Sequence, residues 1–187
     1  MSYTYKIFSI TVPDDVSTNL SSLPTLAANK IMEQMPRFSS YKVTSSDKSY
    51  YIYLKHQTSK ILLRVGVFSS GSSFFIDLLG TGQPNVGHYG VSISAGGVLY
   101  IAILEADKVV SVQYSYNSGN SYWISAMEVV ELSTGYLWVL TNNAVSSSSN
   151  ENLTSTPAPI IYEYASSSGN YTYLSLLGNT VNLKGAI

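Results

Sequence analysis

The 187-residue chain has no cysteine, which excludes disulfides, thiolate metal sites and cysteine nucleophiles together. It has two histidines, His56 and His88, so any imidazole chemistry must run through one of them. Charge is scarce as well: Asp, Glu, Lys and Arg make up 11% of the residues, against roughly 25% in an ordinary soluble domain. Ten basic residues face eleven acidic ones for a net charge of -1. The basic ones are scattered, which argues against direct nucleic-acid or anionic-membrane binding. The longest apolar run, Val98 to Leu104, is too short to span a bilayer, and the N-terminus has no basic-then-apolar signal segment. If such a protein ends up outside a cell, it gets there without a standard signal peptide, for example as part of a particle released by lysis.

Hydroxyls and amides stand where ionic groups usually do, with sixteen Tyr and abundant Ser, Thr and Asn. Such a surface repels itself weakly and loses little when it is desolvated against a partner, which favours assemblies and extracellular binding surfaces. The length suits one domain, 1–187, with a core that needs neither disulfide nor metal.

The pattern predicts a mainly β fold. Tyr50–Lys55, Ile61–Phe68 and Phe74–Leu79 are strand-like runs separated by hairpin-length polar turns, giving an antiparallel meander. In the second run Ile61, Leu63, Val65 and Val67 share one face. Arg64 and Gly66 fall on the other with Leu62 and Phe68, so that face is expected to be covered by more than water. Further strands are expected over Ser2–Val12, Val98–Leu104, Val109–Tyr116, Tyr122–Leu132 and Tyr136–Thr141, and over Ile160–Ala165, Tyr171–Leu177 and Thr180–Lys184. One helix is expected from Pro24 to Met35, where Ala27, Ala28, Ile31, Met32 and Met35 recur at helical spacing before Pro36. Asn142 to Pro159, rich in Ser and Asn, reads as a flexible loop. The fold class is therefore an antiparallel β-sandwich or jelly-roll-like domain with one short N-terminal helix.

Motifs for chemistry are weak. The glycine-rich stretch from Gly80 to Gly87 lacks the lysine and following helix of a phosphate loop. His88 with Asp77 could form part of a hydrolytic site, but no nucleophile-elbow pattern accompanies them, and His56 falls in a turn where exposed polar residues are ordinary. Among the carboxylates, Glu128 and Glu131 should lie on opposite faces of one strand, and Glu163 has no evident partner. No catalytic residue, metal ligand or cofactor is assigned, and the chain reads as a non-enzyme. The aromatic cluster around Tyr114, Tyr116, Tyr122, Trp123, Tyr136 and Trp138 is the more plausible site. In this alternative reading Tyr116, Tyr122, Trp123 and Trp138 stack on a glycan or anchor a partner; otherwise they are core.

The signal-free start Met1-Ser2-Tyr3-Thr4-Tyr5, the many short Tyr/Val/Ile strands, turns such as Ser166 to Asn170 and the lack of Cys resemble virion structural proteins of bacterial or archaeal viruses. That resemblance implies a capsid, decoration, connector or tail component in an extracellular particle assembled in the host cytoplasm. Its partners would be copies of itself and other virion proteins, with carbohydrate binding or host attachment as the alternative role.

Overall fold

The structure, a computed structural model, describes residues 4–80, 90–118, 121–133, 135–140, 145–147, 162–166 and 169–173. The chain folds as a β-sandwich-like pair of antiparallel sheets with a single helix among these residues.

In the first sheet, β1 (Thr4–Thr11) lies beside β7 (Val98–Ala106), followed by β8 (Val109–Ser118) and β9 (Ser121–Leu132). β10 (Gly135–Leu140) and β11 (Val145–Ser147) lie one after the other along the far edge of β9. The second sheet runs in chain order: β2 (Phe38–Ser45), β3 (Tyr50–His56), β4 (Ile61–Phe68), β5 (Ser73–Gly80) and β6 (Val91–Ser92). A separate hairpin pairs β12 (Tyr162–Ser166) with β13 (Gly169–Tyr173). The expected meander is thus present as β3–β4–β5. β2 was not anticipated, and β11 lies inside the stretch expected to be a flexible loop. The remainder of that stretch, the glycine-rich loop with His88, and the strand expected at 180–184 lie outside the described residues.

The alternation read from β4 holds. Ile61, Leu63, Val65 and Val67 are fully buried, as are Phe74, Ile76 and Leu78 of β5. These rows meet Val110, Val112, Tyr114, Met127 and Val129 of the first sheet within one core. The Phe74 and Tyr114 rings cross edge-to-face at 5.7 Å, and the Leu78 amide donates to Met127 Sδ at 3.1 Å. β5 therefore packs directly on β8 and β9 of the first sheet.

Helix α1 (Ser22–Gln34) packs on β3 and β4 and reaches β1 and β2. Leu23, Ala27 and Ile31 repeat every fourth residue and are fully buried, so the helix is held by one apolar stripe. It begins two residues before Pro24, because proline lacks only an N–H that the first turn does not use. It ends at Gln34, and Pro36 keeps the cap residue Met35 out of the helical region (φ -126°, ψ 80°).

The turn between β4 and β5 fixes the near end of the sandwich. Ser69, Ser70 and Gly71 all have positive φ (51°, 56° and 88°). Gly71 lies against the Val16 carbonyl so closely that a Cβ would collide with it. The Ser70 amide also donates to Lys48 O at 2.9 Å, tying this turn to the β2–β3 turn.

Candidate functional site

Two groups of polar side chains are built into this frame. The first closes the end of the sandwich opposite the Gly71 turn. Ile52, Leu54 and His56 alternate inward along β3, as do Ile101, Ile103 and Glu105 along β7, so strand period alone delivers an imidazole and a carboxylate to the same interior. His56 Nε2 lies 2.9 Å from Glu105 Oε2, His56 Nδ1 lies 2.5 Å from Ser59 Oγ, and both His56 and Glu105 are buried. The Phe38 ring packs 5.1 Å from the imidazole, and Arg37 Nη1 approaches Glu105 Oε2 at 3.5 Å from a half-exposed position.

Around this pair the β3–β4 turn docks on the β7–β8 turn. Thr58 Oγ1 donates to Asp107 O at 2.8 Å, Lys108 Nζ donates to Thr58 O at 2.9 Å, and the Lys60 amide donates to the Glu131 carboxylate. Lys108 also pairs with Glu131 at 3.7 Å.

A serine hydroxyl, an imidazole and a carboxylate in this order match the outline of a nucleophile, base and orienting acid. Their surroundings favour a structural role. The Ser59 hydroxyl already receives the Ile61 amide at 3.2 Å inside its own turn, and the imidazole is sealed at 1% exposure. Each cross-sheet contact joins the second sheet's hairpin to the first sheet, so the cluster acts as a clamp. His56 is thus not the exposed turn residue that its sequence position suggested.

The second group lies on the outer face of the second sheet. Strand register sets Lys42, Tyr53, Arg64 and Asp77 in one row across β2, β3, β4 and β5. Tyr51, Gly66 and Phe75 stand in the next row. Arg64 grips Asp77 through two bonds, Nε to Oδ1 at 3.0 Å and Nη2 to Oδ2 at 2.6 Å. The guanidinium lies 5.0 Å from the Phe75 ring, 5.3 Å from Tyr51 and 5.8 Å from Tyr53, and Lys42 Nζ sits 4.6 Å over Tyr53.

Burial pushes the Asp77 carboxyl above the usual carboxylate range, against the opposite pull of Arg64. Burial also works to lower the Arg64 pKa, but its bonds and charge attraction to Asp77, with help from Tyr53, hold it above its ordinary value. Asp77 is committed to Arg64, so it is not placed to orient a histidine. The partly polar face read from β4 is this aromatic-flanked ion pair.

The aromatic candidates on the first sheet divide. Tyr114 is fully buried, and Tyr116 is 3% exposed with its hydroxyl receiving the Ser94 amide at 3.0 Å. Neither offers a ring to a ligand. Tyr122 and Trp123 lie on β9, paired with Asn117 and Tyr116, and Trp138 lies on β10 opposite Val129. The side chains of these three residues and of Glu163 lie outside the described residues. Glu128 is buried and accepts from the Ser111 hydroxyl, whereas Glu131 belongs to the clamp.

Among the described residues no group of three or more His, Asp or Glu could hold a metal, and no helix is long and apolar enough to cross a membrane. In comparisons with known proteins, no protein-family model, no curated protein and no solved structure matches this chain.

Proposed function

We propose that the chain is a non-enzymatic structural protein of a virion, a capsid, decoration, connector or tail component, that works by packing against copies of itself and neighbouring particle proteins. The observation that carries this reading is β2. It forms one edge of the second sheet, and after Phe38 every residue of the strand is exposed, including Tyr41 at 50% and Val43 at 51%. An open strand edge is a template for another strand, and monomeric proteins blunt such edges with charge, proline or bulges. β2 has Lys42 and a register shift between Ser40 and Lys42. The bulge bends the edge, which disfavours an arbitrary flat strand and admits one of matching curvature. In a chain so poor in charge, apolar and hydroxyl side chains on that edge are contact material. The clamp ties the sheets together at one end and the Gly71 turn closes the other, an arrangement that suits a unit packed repeatedly.

Light scattering coupled to size exclusion tests the reading. Self-association that rises with protein concentration and is reduced by Val43→Lys is the expected result. A wild-type chain that stays monomeric at high concentration, and stays alone when mixed with its particle proteins, would defeat it.

A further inference from the structure

The row Lys42, Tyr53, Arg64, Asp77 is graded in exposure. Lys42 is exposed, Tyr53 half-buried, the Arg64 side chain 13% exposed and Asp77 only 1%. Its inner end is an ion pair already satisfied. Its outer end is a lysine and a tyrosine ring at the surface. Tyr51 is half-buried beside it and lies over Gly66, where an added Cβ would come within 2.6 Å of Tyr51 Cδ1. The missing side chain at position 66 is thus what gives this ring its seat on the sheet. Lys55, two residues beyond Tyr53 on the same face of β3, is also exposed.

The geometry points to a binding platform for an acidic glycan on this face. The apolar C–H face of a pyranose would rest on Tyr51 beside the Tyr53 ring, which Lys42 Nζ already caps at 4.6 Å, and the carboxylate of a sialic or uronic acid would be held by Lys42 and Lys55. Three features favour that ligand. The Arg64 guanidinium lies 5.3 Å from the Tyr51 ring and 5.8 Å from the Tyr53 ring, and the Tyr51 and Phe75 rings cross edge-to-face at 5.1 Å, so little freedom of these side chains remains to be lost on binding. The two lysines give a net positive charge to a face of a chain that carries -1 overall. Asp77 cancels Arg64, which leaves too few cations to follow a nucleic-acid backbone with its phosphate at every nucleotide. The site is distinct from the hairpins of β8 to β10 and shares Lys42 with the exposed edge strand β2.

The test uses the purified full chain on an array of sialic- and uronic-acid oligosaccharides beside their neutral counterparts, followed by calorimetry with the best acidic ligand and with a short oligothymidylate. Acidic glycans should bind at least about tenfold more tightly than neutral ones, with affinity falling as salt rises. Lys42→Gln and Lys55→Gln should each weaken binding about fivefold without moving the melting temperature. Tyr53→Ala should weaken it roughly tenfold or more. If Tyr53→Ala fails to fold, the lysine variants, which change only exposed groups, still decide the matter. No binding to any acidic glycan, unchanged affinity in the Lys42→Gln/Lys55→Gln double variant, or preference for the oligothymidylate would each overturn the proposal.

Discussion

Replacing Arg64 with Met is the sharpest probe of how the outer face of the second sheet is held. The substitution keeps most of the aliphatic volume against Phe75 and Tyr51 and removes the guanidinium that answers Asp77 through bonds of 3.0 and 2.6 Å. Asp77 is 1% exposed, so its carboxylate would be left buried without a counter-ion. Breaking a buried pair from one side costs about 3–5 kcal/mol, a large part of the ~5–15 kcal/mol that holds a domain together.

The pH dependence has a definite sign. Burial already raises the Asp77 pKa in the folded protein, and loss of Arg64 raises it further. The folded variant then binds a proton more readily than the unfolded chain, whose Asp pKa is near ~3.9, so its stability falls as pH rises through that window. The deficit relative to wild type should be greatest near neutrality and shrink towards pH ~4. Urea unfolding followed by circular dichroism across this range measures it. In Arg64→Met/Asp77→Leu no buried charge remains, and stability at neutral pH should return to within ~1 kcal/mol of wild type or exceed it. A single variant as stable as wild type at neutral pH, or a double variant as unstable as the single, would refute the reasoning.

The clamp makes a parallel prediction. His56→Leu should destabilise by about 3 kcal/mol or more because Glu105 keeps its burial and loses its 2.9 Å partner, whereas Ser59→Ala should cost only about 1 kcal/mol; thermal unfolding separates the two. Gly71→Ala should lower the melting temperature by several degrees or prevent folding, since the position combines φ +88° with a Cβ clash against the Val16 carbonyl; expression yield and a thermal melt check this. Gly66→Ala should cost about 1–3 kcal/mol, because the new methyl would lie 2.6 Å from both the Tyr50 carbonyl and Tyr51 Cδ1, and the backbone oxygen cannot move aside; denaturant unfolding reads it.

Much of the frame was legible because β period is a local property. Alternation in Ile61–Phe68 named the core face of β4, and the helix followed from its apolar stripe and the proline that ends it. β2 was missed for the same reason: Phe38-Ser-Ser-Tyr-Lys-Val-Thr-Ser has no apolar row, since an exposed edge buries nothing after Phe38 and so leaves no pattern. His56 is the instructive error. The signal was present, because it continues the inward row of Ile52 and Leu54, but a histidine next to a polar turn reads as solvent-facing until its partner is known.

What the chain's own order of residues determined is the strands that bury a face, the helix and which side chains share a face, because two-residue and 3.6-residue periods are fixed by the backbone alone. Tertiary structure alone decided which faces meet. Glu105 lies forty-nine residues from His56 and Asp77 lies thirteen from Arg64, and only sheet pairing and register bring each pair together. Those partners turn isolated polar residues into a clamp and an aromatic-flanked ion pair, since the worth of a buried charge depends on what stands next to it.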